Sequence, residues 1–267
     1  MKKIGFFLSA AILMASSASA ETNPQTAQFL RKLNLYYYCP SREGLKGLTC
    51  DLTVHASAIY KKSLNDLGCP EKITAALDGQ KLTFTLTSDG KGKLALVDPT
   101  PSGDAAYDSN LKEQLTNIVK NFDPVLQTWT DDVFKPGFDE ETLTKADCSV
   151  VNKAHGFIVE QMDGDGSGLK VTFDEKAKRV QAIGVTKAGK VLVTMKLYYS
   201  NTPKGYQLDG YWASVPKMNF IETDHFEYQP VGNFTLPKAA TKEFQFGEMF
   251  EKGSTVTLDF SNYQLIP

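Results

Sequence analysis

The chain is poor in the residue patterns that most often announce chemistry. Its three histidines, His55, His155 and His225, stand far apart and form no His-x-x-x-His spacing, so no metal site or catalytic base is expected from them. Only four cysteines occur in 267 residues, with no Cys-x-x-Cys among them, which removes the usual zinc and dithiol motifs. Charge of one sign is missing too. The 29 Lys and Arg nearly balance 31 Asp and Glu, and the densest basic stretch, Lys176-Ala177-Lys178-Arg179, reads as a polar hairpin turn. Nucleic acid is therefore not an expected partner. The Gly-x-Ser-x-Gly elbow of hydrolases is absent around Ser167. Asp224-His225 is no dyad either, because neighbours on a strand point to opposite faces. No cofactor, no metal and no enzymatic activity are expected.

One apolar run stands out, and it is short. Lys2 and Lys3 precede Ile4 to Met14, and small residues follow, ending Ala18-Ser19-Ala20. That is the pattern of a secretory signal peptide over residues 1–20, cleaved near Ala20/Glu21, and it predicts a soluble periplasmic product. No later stretch is long and apolar enough for a spanning helix. Without Lys2 and Lys3 the chain carries 27 basic and 31 acidic side chains. In an oxidising compartment Cys39, Cys50, Cys69 and Cys148 are expected to form two disulfides. Three pairings are open, of which Cys39 with Cys50 and Cys69 with Cys148 is favoured.

From Glu21 the pattern is helical, with Pro24 at the first position and Ala27, Leu30, Leu33 and Tyr37 on one face. Leu48, Cys50, Leu52 and Val54 then alternate with Thr49, Asp51 and Thr53 as a half-buried strand. A helical stretch from Ala56 to Leu77 breaks at Gly68-Cys69-Pro70. Leu82, Phe84 and Leu86, the turn Ser88 to Gly92, and Leu94 and Leu96 form a hairpin. Leu111, Leu115, Ile118 and Phe122 mark a long helix that Pro124 is expected to interrupt. After Cys148 short strands alternate with turns, through Phe157 and Val159, Leu169 to Phe173, Ile183 and Val185, and Val191 to Tyr199. Further strands are expected at Gln207–Ser214, Lys217–Glu222, His225–Gln229 and Ser254–Tyr263. No linker divides residues 21–267, which predicts a single domain.

Strands with one apolar and one polar face need that apolar face covered, and here helices are available to cover it. The expected fold class is α+β, mainly antiparallel β: a curved open half-barrel sheet with helices packed on its concave face. If side chains fill it incompletely, the interior is an apolar ligand site. Its expected lining is Leu52, Val54, Phe84, Leu115, Trp129, Val171, Phe173, Val193, Met195, Leu197, Trp212, Leu258 and Phe260.

The order of elements resembles the periplasmic lipoprotein-carrier (LolA/LolB-like) family and the related outer-membrane lipoprotein-sorting proteins. The likeness rests on the signal peptide, the helix Gln25 to Tyr37 running into Gly47–Val54, the segments Leu208–Pro216 and Val256–Tyr263, and the late meander. It implies a non-enzymatic half-barrel that holds acyl chains between helices and sheet. Its partners would be a hydrophobic ligand or lipoprotein and a membrane-associated donor or acceptor protein. Two alternatives stand beside it: an exported structural or interaction protein with a filled core, and a secreted hydrolase whose site is dispersed. Asp163-Gly164-Asp165-Gly166-Ser167-Gly168 resembles the start of a calcium loop, but Lys170 and Asp174 stand where an apolar residue and a bidentate Glu belong, so a polar turn is expected.

Overall fold

The structure is a computed structural model that describes residues 24–134, 148–153, 156–162, 167–174, 176, 178–187 and 190–266. The expected signal peptide and most of the Asp163–Gly168 turn lie outside them. Along the chain run α1 (Pro24–Asn34), β1 (Gly47–Ala56), α2 (Ala58–Asp66), α3 (Glu71–Ala76), β2 (Lys81–Leu86), β3 (Gly92–Leu96) and α4 (Ala105–Phe134). There follow β4 (Cys148–Lys153), β5 (Gly156–Met162), β6 (Ser167–Asp174), β7 (Arg179–Lys187), β8 (Lys190–Thr202) and β9 (Gly205–Val215). A 3₁₀ turn, Pro216–Met218, leads to β10 (Phe220–Val231), β11 (Phe234–Phe246) and β12 (Phe250–Ile266). The fold is α+β and mainly antiparallel β. The described residues divide into two compact units, one of 24–38 with 148–221 and one of 39–134 with 222–266.

In the first unit the strands follow the order β9-β8-β7-β6-β5-β4, each antiparallel to its neighbour. Helix α1 contributes Leu33 to a core of Val171, Phe173 and Val180, and Phe29 meets Phe173 edge-on at 6.0 Å. The helix stops at Asn34, three residues before the expected end. Tyr37 leaves helical geometry because its neighbours bond to a strand instead: Tyr38 N donates to Tyr206 O at 2.8 Å, and Tyr206 N to Tyr36 O at 2.7 Å. Gly205 permits this approach, since a Cβ there would stand 2.7 Å from Tyr36 O. The Tyr37 hydroxyl accepts the Val180 N–H at 2.6 Å, next to the register shift between β6 and β7. A buried amide beside the bulge thus finds its partner in a side chain.

In the second unit the order is β3-β2-β1-β12-β11-β10. Cys50 pairs with Phe84, and Leu52 with both Leu82 and Phe260, so the alternation read in the sequence becomes one buried face. Ser57 caps α2, accepting Tyr60 N–H at 3.1 Å and Thr255 N–H at 3.0 Å. Ile73 and Leu77 of the α3 segment meet Leu111 and Leu115 of α4 in a second core cluster.

Pro124 does not end α4, which runs through to Phe134. Beyond it Thr130, Val133 and Phe134 are all buried, and that packing holds the helix across the lost hydrogen bond. The region expected as two strands around Glu222 and His225 is the single strand β10. β11 was not expected at all, because Pro237, Lys238, Ala239 and Ala240 give its sequence no alternating apolar pattern.

The expected disulfides are not formed among the described residues, where Cys39, Cys50 and Cys69 are free thiols. Cys39 lies in a turn whose geometry directs its sulfur to Ser41 Oγ at 3.1 Å and to Phe134 O at 3.4 Å rather than to Cys50. Cys50 is committed to the buried face of β1, and Cys69 packs at the edge of the Ile73–Leu115 cluster. The side chain of Cys148 is outside the described residues.

Candidate functional site

Two features share the buried face of the unit of 39–134 with 222–266. The first is an apolar pocket where the end of α4 crosses the sheet. Thr130, Val133 and Phe134 of α4 face Phe84 of β2, Phe226 of β10, Pro237 of β11 and Phe260 of β12. Phe84 and Phe134 stack at 5.9 Å and close most of the space, leaving about 10 Å³. That is room for one water-sized sphere and far below the volume of an acyl chain. Gly92 lets α4 lie this low: a Cβ there would run into Thr130 Oγ1 and stand 3.0 Å from Phe84.

The second feature is ionic. Glu222, Asp224 and Phe226 alternate onto the buried face of β10, so two carboxylates continue the row that ends at the pocket. Lys242 of β11 reaches them. Its Nζ donates to Asp224 Oδ1 at 2.8 Å, to Asp224 Oδ2 at 2.6 Å, and to Glu222 Oε1. Burial alone would push the Lys242 ammonium down, but the charges of Asp224 and Glu222 outweigh it and hold the group above the usual lysine range. Lys242 is therefore an ammonium, held between two buried acidic side chains. The Lys242 ammonium also stands 5.5 Å over the Phe244 ring, which stacks on Tyr60 of α2 at 6.2 Å.

The residues expected to line a cavity are distributed through both units. Phe84 and Phe260 line the pocket, whereas Leu52, Leu115 and Leu258 are buried in the same unit without reaching it. Val54 is half-buried. Val171 and Phe173 pack under α1 with Leu197 beside them, and Val193 and Met195 are buried on the same sheet. Trp212 faces the other way: it pairs with Lys196, whose ammonium lies 5.4 Å over the indole, while its neighbours Tyr211 and Ala213 point into the core. The Trp129 side chain is outside the described residues.

The ionic cluster has no counterpart in the sequence reading, although one signal was available. Glu222 and Asp224 share the parity of Phe226, which puts carboxylates at positions where a core face wants apolar groups. As expected, His225 lies on the opposite, exposed face from Asp224. No group of three or more metal-ligating side chains occurs among the described residues. None of the described helices is long and apolar enough to cross a membrane.

No protein-family model matches the chain. No curated protein matches it either. Among solved structures it is similar to a domain described as that of an outer membrane lipoprotein-sorting protein from Vibrio parahaemolyticus. The identity is 10%, 91% of this chain and 93% of that chain are covered, and the TM-score is 0.31. At that score neither fold nor function carries over.

Proposed function

We propose that this chain is an exported, non-enzymatic carrier that shields an apolar ligand, such as a lipid or a lipoprotein acyl chain, beneath α4. The observation that supports this is the gap among Phe84, Val133, Phe134, Phe226, Pro237 and Phe260, an aromatic-lined defect in the buried core where the end of α4 crosses the sheet. A gap of about 10 Å³ holds no acyl chain, so this reading requires a second, open state. Ligand entry requires the last turns of α4 to lift from the sheet, exchanging the Phe84–Phe134 stack for contacts with the ligand. The signal-like start supports a periplasmic setting for this reading, with a membrane-associated donor or acceptor protein as the partner it would need.

Native mass spectrometry of protein purified from its own envelope tests this, with co-purifying lipid as the expected result and a bare polypeptide mass as the contrary one. A second reading, an exported structural or interaction protein with a filled core, is favoured by the small free volume. It predicts that no amphiphile binds saturably under any condition that leaves the protein folded.

A further inference from the structure

The end of α1 carries an arrangement unlike the rest of the surface. Leu35 is 75% exposed and Tyr36 beside it 45%, while Leu33, Tyr37 and Tyr38 on either side are buried. The two exposed side chains are held outward by a built turn. Leu35 N donates to Lys32 O at 3.2 Å, Tyr36 N donates to Leu33 O at 2.9 Å, and Tyr36 O is tied to Tyr206 N. Against this turn lies the β8–β9 hairpin, itself braced where Thr202 Oγ1 donates to Gly205 O at 2.7 Å and accepts from Lys204 N at 3.2 Å. Its Lys204 ammonium stands 5.5 Å over the Tyr38 ring. Arg31 and Lys32 occupy the last turn of α1, both exposed. An apolar side chain and a phenol thus project from a hydrogen-bonded turn, with Arg31 and Lys32 on the helix before it and Lys204 on the hairpin beside it.

We infer that this tip docks on an anionic phospholipid bilayer. The chemistry is complementary at each position. Leu35 suits the acyl boundary and Tyr36 the headgroup level, where amphipathic aromatics concentrate. Arg31, Lys32 and Lys204 face the phosphates. A protein partner would also accept an exposed Leu and Tyr, but basic side chains from two segments beside a single apolar point match a diffuse anionic surface better than a shaped patch. Because the tip is preformed, docking orders little chain. The inference stands without the carrier reading, since it concerns a surface and not the pocket.

Co-sedimentation of the mature chain with vesicles of phosphatidylcholine and phosphatidylglycerol (3:1), and with phosphatidylcholine alone, is the test. Binding is expected to the anionic vesicles and to fall with salt. Lys32→Ala and Lys204→Ala should each weaken it about fivefold, and Leu35→Asp should weaken it further. Lys32 and Leu35 are exposed, so these two variants should unfold thermally as the wild type does. Leu35→Trp should show a blue-shifted emission increment on anionic vesicles only. Equal binding to both vesicle types, no binding, or binding indifferent to Leu35→Asp and Lys32→Ala overturns the inference. So does a photo-crosslinker at position 36 that labels an envelope protein and no lipid.

Discussion

Asp224 accepts both 2.6 Å and 2.8 Å hydrogen bonds from the Lys242 ammonium inside the sheet, with Glu222 completing the cluster. Strands β10 and β11 are joined by a tight connection at Gly232-Asn233, and a slip of either strand by one residue would put Lys242 and the two acidic side chains on opposite faces. The cluster therefore fixes pairing more than it adds stability, since desolvation of its charged groups offsets most of their attraction.

Removing one partner should be costly. Lys242→Met removes the ammonium that Glu222 and Asp224 bond in the core and should cost roughly 3–5 kcal/mol in urea unfolding. The triple variant Glu222→Leu, Asp224→Leu, Lys242→Met should recover most of that loss. A Lys242→Met protein as stable as the wild type would show that the cluster carries no such constraint.

Alkaline pH should unfold the protein through its buried phenols and thiol. Burial, first of all, pushes Tyr60 up to about 12; Tyr37 is pushed to the same value mainly by burial, against the opposing Val180 hydrogen bond. Cys50 is also pushed up to about 12, by burial first and then by Asp51, with Tyr263 opposing. Lys242 is likewise held high. A raised folded pKa means the stabilisation is fully present below the unfolded value and is lost as pH rises through the folded one. Stability should stay level up to about pH 9, fall slightly from there as Cys50 is lost and more steeply between about 10 and 12 through the phenols, and Tyr60→Phe should make the steeper fall shallower. A decline already complete by pH 9 would contradict the assignment.

Gly92→Ala should push α4 off the sheet, because Thr130 and Phe84 occupy the space of the new methyl. Overpacking of this kind costs about 1–3 kcal/mol. Adding Thr130→Ala should restore part of it, and a cycle with no coupling between the two sites would show that α4 does not lie there.

The thiols should differ in reactivity. Burial pushes the Cys39 thiol up, yet hydrogen bonds from Ser41 and from the Arg42 side chain and amide outweigh it, and the net displacement is downward. Cys69 is raised by burial. Alkylation of the denatured, unreduced protein should tag Cys39, Cys50 and Cys69, whereas mass evidence of a Cys39–Cys50 bridge would contradict the structure. During partial unfolding at neutral pH, Cys39 should alkylate faster than Cys50.

Much of this fold was legible where one local rule dominated. The β2–β3 hairpin follows from Thr-alternation around Ser88–Gly92, and β1 from Leu48, Cys50 and Leu52. What escaped was set by tertiary context. β11 is a strand because β10 and β12 flank it, not because Pro237, Ala240 and Lys242 prefer one. α4 passes Pro124 because buried groups beyond it hold it down, and Tyr37 left its helix for a strand 169 residues later in the chain. Of the expected cavity lining, the sequence could name apolar parity but not which side chains meet, so Trp212 was drawn to the wrong face and Phe134, Phe226 and Pro237 were missed.

Titration of the purified mature chain with a fluorescent polyene fatty acid, in wild type and Phe226→Asp, tests the central claim most directly. Saturable binding by the wild type, displaced by unlabelled fatty acid and weakened at least about tenfold by a charge in the pocket, is the predicted result. Absent binding, or binding untouched by Phe226→Asp, would contradict it.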